Sequence, residues 1–188
     1  MYNTRTEFEE AVFSCNPPYW DKELFSIEVA WRVYRNTTMK SKFDFLVMGR
    51  WVTYSTPNTP GIDVSLMRNL HVMDETYFGA PIMNCSSWTL FVNDAWLLGG
   101  IHNFAQFQLA SFITIGNIYQ TQGKFSNQLT VTGREVAGLK TFGYIKRGLL
   151  TGSVFVCTDL NRANSANFNE YLHSIKYFSE NNRWMNLL

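Results

Sequence analysis

Residues 88–102 read WTLFVNDAWLLGGIH, an apolar run interrupted by one Asn-Asp pair and one pair of glycines. Asn93-Asp94 between WTLFV and AWLLGGIH predicts a β-hairpin, with the polar pair at the turn and an apolar strand on each side. In that reading Asp94 is a turn residue. Gly99-Gly100 in a strand mark a bulge or the close approach of another backbone or a ligand. His102 follows that irregularity and is open to two readings. It is a core or strand-end histidine bonded to backbone, or a general acid or base whose near-neutral pKa suits proton transfer.

Further along, LTVT at 129–132 predicts a strand that feeds a helix. Thr132 and Glu135 have the spacing of a capping box, and the helix runs to about Phe142 with Gly143 ending it. At about 100° per residue, Glu135 projects between Phe142 and Leu139 on the apolar side. Burial there would raise its pKa, whereas a capping role would keep it charged at the helix start. Arg134 reads as a solvated charge. GSVFVCT from Gly152 predicts another strand, with Asp159 in the turn after it. From Ser165 a helix carries Phe168, Tyr171, Leu172, Ile175 and Phe178 on one stripe, which leaves His173 exposed on the other side.

Toward the N-terminus, Thr4–Cys15 reads as a helix ended by Asn16-Pro17-Pro18. Leu24, Ile27, Trp31 and Tyr34 recur at helical spacing between Asp21 and Arg35. Phe43, Phe45 and Val47 then alternate, and WVTYS follows, so one or two strands fit. TPNTPG at 56–61 is a turn-rich loop, after which Ser65 caps a short helix bearing Leu66, Leu70, Met73 and Tyr77. Residues 104–116 fit either a strand or a buried helix. Helices near both termini around a strand-rich middle predict an α+β fold with a mostly antiparallel sheet. Nothing resembling a linker or repeat divides the chain, so 1–188 is read as one globular domain.

The composition agrees. The chain has 188 residues and a mass of 21.8 kDa; 46% of residues are hydrophobic, 16% aromatic and 16% charged. So few charges beside so many aromatics exclude a disordered chain. Sixteen basic and fifteen acidic residues give a net charge of +1, so the basic footprint of a nucleic-acid-binding protein is missing. The least polar stretch is broken by Asn93, Asp94, His102 and Asn103, which argues against a membrane span. Cys15, Cys85 and Cys157 are far apart and form no zinc-type spacing, so structural thiols in a reducing compartment are expected. The N-terminus lacks the basic and apolar regions of a signal peptide. The expectation is a cytoplasmic protein in the producing cell, with export by a route that needs no cleaved signal left open.

Several enzyme classes lack their signatures. There is no GxxxxGK[ST] phosphate loop, no GxGxxG after a strand, no HExxH and no GxSxG. No cofactor or metal is expected. NDAWLLGGIH (93–102) and TVTGREVAGLKTFGY (130–144) resemble small effector or toxin-type modules of bacterial secretion and polymorphic-toxin systems. The resemblance implies a secreted bacterial effector or toxin acting in interbacterial or host interaction, with a protein partner. Should it be catalytic, His102 and Glu135 are the expected pair, because both are ionisable groups within the least polar half of the chain. The alternative is a non-enzymatic binding protein, such as an immunity protein, adaptor or assembly subunit, that works through an aromatic-rich surface.

Overall fold

The computed structural model describes residues 1–19, 21–24, 26–39, 45–48, 51–52, 62–63, 89–109, 114–120, 128–148 and 153–188. The TPNTPG loop, the helix expected after Ser65, and Phe43, Cys85 and Trp88 lie outside the described residues.

Four chain segments pair into one sheet. Strand β1 (Phe45–Met48) runs parallel to a strand at Gln106–Leu109, with Phe45 opposite Gln106 and Met48 opposite Leu109. Strand β2 (Trp51–Val52) pairs in parallel with β3 (Ile62–Asp63) in a separate short ribbon. Numbering Gln106–Leu109 as β4, Tyr144–Arg147 as β5 and Val154–Cys157 as β6, the sheet order is β1-β4-β6-β5. Both pairings of β6 are antiparallel, with Phe107 opposite Phe155 and Tyr144 opposite Cys157. Burial alternates along β4: Phe107 and Leu109 are buried, and Gln106 and Gln108 are half-buried. The architecture is α+β, with helices toward both ends and three antiparallel strands plus one parallel edge strand between them.

The central stretch is where sequence and structure part. Leu90–His102 is not a hairpin but one thirteen-residue helix. Numbering in chain order, α1 is Arg5–Phe13, α2 is Asp21–Leu24, α3 is Ile27–Thr38 and this helix is α4. Thr89 is extended (φ −138°, ψ 165°), and its hydroxyl accepts the Val92 amide at 3.1 Å, a side-chain N-cap. Phe91 through His102 are all buried. A helix covered on every side shows no amphipathic stripe, so the periodicity that separates helix from strand is missing.

The paired glycines do mark close approaches, although on a helix. A Cβ at Gly99 would lie 2.8 Å from the Tyr34 carbonyl oxygen in α3. One at Gly100 would lie 2.5 Å from Leu46 and 2.6 Å from Phe107. These positions let α4 rest on α3 along one side and on the sheet along another. Trp96 meets Phe107 edge-on, with ring centroids 5.9 Å apart.

The remaining helices complete the shell. They are α5 (Ile115–Ile118), α6 (Val131–Thr141), α7 (Leu160–Asn164) and α8 (Phe168–Ser179), followed by a 3-10 helix at Glu180–Leu187. No strand forms at 129–132, where Leu129 makes an isolated bridge to Tyr119. The cap of α6 is Thr130 rather than Thr132: Thr130 is extended, and its hydroxyl accepts the Gly133 amide at 3.0 Å. Thr132 is already helical and cannot act as the cap. Gly143, at φ +84°, ends the segment as expected. Asp159 proves to be the N-cap of α7, and Asn167 rather than Ser165 opens α8. The helix expected over Asp21–Arg35 is split into α2 and α3. No helix among the described residues is long and apolar enough to cross a membrane.

Candidate functional site

Three polar residues of α4 are buried, and two of them, Asn93 and Asp94, tie the helix to α6. Asn93 Nδ2 donates to Glu135 Oε1 of α6 at 3.0 Å. Asp94 Oδ2 accepts from the Tyr19 hydroxyl at 2.7 Å and from Arg134 Nη2 at 2.6 Å. His102, two turns further on, bonds elsewhere.

Asp94 is therefore not a turn residue and Arg134 is not a solvated charge. The Asp94 side chain has no exposure and the Arg134 side chain only 14%. The two form a buried ion pair across α4 and α6. Burial pushes the Asp94 carboxyl above its ordinary range, while Arg134 and the Tyr19 hydroxyl pull it down. Burial also works against the Arg134 cation, but the Asp94 carboxylate and the Tyr171 and Tyr19 hydroxyls outweigh it and raise its pKa. The Arg134 guanidinium sits 5.9 Å from the centre of the Tyr171 ring.

Glu135 lies on the apolar side of α6, as its projection predicts, and is 4% exposed. Burial lifts its pKa to about 7 against the lowering effect of the Asn93 amide. Its carboxyl caps nothing, since Thr130 holds the cap. Among the described residues, seven buried side-chain polar atoms have no hydrogen-bond partner. Four belong to this cluster: Asp94 Oδ1, Arg134 Nε, Glu135 Oε2 and the Tyr171 hydroxyl. The Tyr171 hydroxyl faces Asp94, and burial together with that carboxylate raises its pKa well above the ordinary value.

Beside the cluster is a cavity of about 660 Å3. Leu90, Val131 and Arg134 line it from α4 and α6; Leu172, Ile175, Lys176 and Ser179 line it from α8. Pro17, Gln120, Gln128 and Leu129 complete the described wall. Part of the α8 stripe thus faces a cavity: Phe168 and Tyr171 go to the core, while Leu172 and Ile175 remain half-buried.

His102 and Glu135 are not brought together. Glu135 meets α4 at Asn93, and nine residues of helix, about 13 Å at 1.5 Å each, separate that point from His102. His102 Nε2 lies 2.7 Å from the Ala166 carbonyl, which can only accept, so this nitrogen carries the proton. Nδ1 then accepts from the Tyr34 hydroxyl at 2.7 Å, and that oxygen accepts the Tyr2 amide at 2.8 Å. Burial, with the N-terminal amine nearby, lowers the His102 pKa to about 4 against the Ala166 bond. The ring is neutral at pH 7 and links α3, α4 and the segment before α8. His173 is exposed as expected and bonds the Asn16 carbonyl at 2.6 Å.

Sequence reasoning placed Glu135 on the buried side of its helix, but read Asp94 as a turn residue and Arg134 as a solvated charge. The available signal was the length of the run around Asn93-Asp94, which suits a buried helix better than two short strands. Among the described residues no group of three His, Cys, Asp or Glu is placed to hold a metal ion. Comparison with known proteins finds no matching family model, no matching curated protein and no matching solved structure, so the site is read from its own geometry.

Proposed function

We propose that the chain is an effector-type protein, of the kind bacteria direct at neighbouring or host cells, and that its working site is the cavity bordered by Arg134. The observation that carries this is a cavity lined by Arg134, whose Nε is one of four unpartnered buried polar atoms clustered behind that wall. Each such atom costs about 1–3 kcal/mol, which a purely structural site would satisfy or replace with apolar groups. A concave apolar pocket with a few convergent polar groups is the usual form of a small-molecule site, and the shifted carboxyl of Glu135 lies behind its wall. The two segments that resemble toxin-type modules support the reading, because their first turns are the ones paired through Asn93–Glu135 and Asp94–Arg134.

In this reading Glu135, beside Arg134 on α6 but behind the cavity lining rather than in it, is the acid/base group, since a carboxyl with a pKa of about 7 both gives and takes a proton at neutral pH. Arg134 is its electrostatic partner, a change from the pairing with His102 expected at the outset. The binding-protein alternative draws little from exposed aromatics: among the described residues, Phe13 and Tyr177 are the exposed large ones.

The test is expression in the cytoplasm and, separately, the periplasm of a bacterial recipient. Growth arrest by the native chain, lost on Glu135→Gln or Arg134→Lys with the circular dichroism spectrum unchanged, is expected. Unimpaired growth with the native chain in both compartments overturns the reading. So does full toxicity of both folded variants.

A further inference from the structure

The walls of the cavity also indicate what it takes. Its described lining includes two cations, Arg134 and Lys176, and no carboxylate. The carboxylates that pair with them stand elsewhere: Asp94 is fully buried behind Arg134, and Glu180 is outside the lining. The Lys176–Glu180 contact, at 3.9 Å between side chains more than half exposed, neutralises little in water. An entering molecule therefore meets positive charge in front, with the balancing negative charge behind or to one side. Lys176 is exposed and marks the mouth; Arg134 is mostly buried and marks the inner wall. Leu90, Leu129, Leu172 and Ile175 supply apolar surface to the same wall, and Gln120, Gln128 and Ser179 supply polar atoms.

We infer that the cavity binds an apolar chain carrying one anionic head, with the head at Arg134 and the chain along those four aliphatic residues. The inference rests on the cavity being the working site and names its ligand class. Arg134 donates to Asp94 through Nη2, and its Nε–H is without a partner. A guanidinium presents five donors in a planar fork, so while Nη2 holds the internal carboxylate and Nε is buried in the wall, the donors that face the cavity can hold an external oxyanion. Lys176 draws the anion toward the mouth, an effect that weakens as salt rises. A volume of about 660 Å3 is within the range of small-molecule sites.

Isothermal titration of the full chain with decanoate, decyl phosphate, decanol and decylamine, each below its micelle-forming concentration, tests this. Decanoate or decyl phosphate binding at least about tenfold tighter than decanol, with decylamine weaker still, is the expected order. Comparing the first two separates a carboxylate head from a phosphate head. Leu172→Trp fills the cavity without touching the ion pair and should abolish binding. The double variant Asp94→Asn/Arg134→Gln, which removes both members of the ion pair together, should erase the preference for decanoate over decanol. Equal binding of decanol and decanoate overturns the inference, as does no binding by either anion, or undiminished binding by a folded Leu172→Trp. Anion binding by a chain that leaves recipient growth untouched supports the ligand and overturns the effector reading. Toxicity without anion binding does the reverse.

Discussion

Glu135 makes a measurable demand on stability. Its carboxyl titrates at about 7 in the folded chain against an ordinary value of 4.5, because it is buried and only one of its oxygens has a donor. A carboxyl whose folded pKa is raised binds its proton more tightly folded than unfolded, so stability falls as pH rises. Below pH 4.5 both states are protonated and the group contributes nothing. Between about 4.5 and 7 the unfolded chain releases a proton that the folded chain keeps, and each pH step removes about 1.4 kcal/mol. Across this interval the loss is about 3 kcal/mol, and above pH 7 it stays constant.

Glu135→Gln removes the titration while keeping the carbonyl oxygen that Asn93 contacts. Urea denaturation of both proteins from about pH 4.5 to pH 8.5 should show similar stability at the acid end. At the alkaline end the variant should be more stable by about 3 kcal/mol. A difference that does not change with pH, or a native chain more stable than the variant above pH 8, would refute the reasoning.

Two further substitutions probe the same region. Arg134→Met strands the Asp94 carboxylate inside the protein and should cost about 3–5 kcal/mol, read as a lower urea midpoint; adding Asp94→Asn should recover most of it. Gly133→Ala would put a Cβ 2.1 Å from the Ile118 carbonyl oxygen, a backbone atom, and should destabilise by about 1–3 kcal/mol with a lower thermal midpoint.

What could be read in the sequence depended on whether a residue's role was local. Gly143 ends α6 because positive φ is a property of one residue, and the sequence shows it. The burial of Glu135 follows from its angular position among Leu139 and Phe142, again within one helix. The close approach at Gly99 and Gly100 was legible too, although what approaches was not. By contrast the Asp94–Arg134 pair joins residues 40 apart in sequence. Taken singly, an Asp after an Asn looks like a turn and an Arg at a helix start looks solvated. Their partnership exists only once α4 is known to be a helix, and α4 hides its helical period because Phe91 through His102 are all buried. The tautomer and linking role of His102 likewise depend on Tyr34 and Ala166, which lie 68 and 64 residues away.

Enclosure of α4 from Phe91 to His102 also governs how the molecule breathes. Surface helices fray and reclose in small excursions, letting solvent reach their amides long before the protein unfolds. A helix held by α3, the sheet and α6 has no such partial route. To loosen it, the Gly99 contact, the Gly100 contact and the links through Asn93, Asp94 and His102 must all give way together. The amide hydrogens of its interior turns should therefore exchange with deuterium only through global opening, which would make α4 a built-in gauge of the stability of the whole fold.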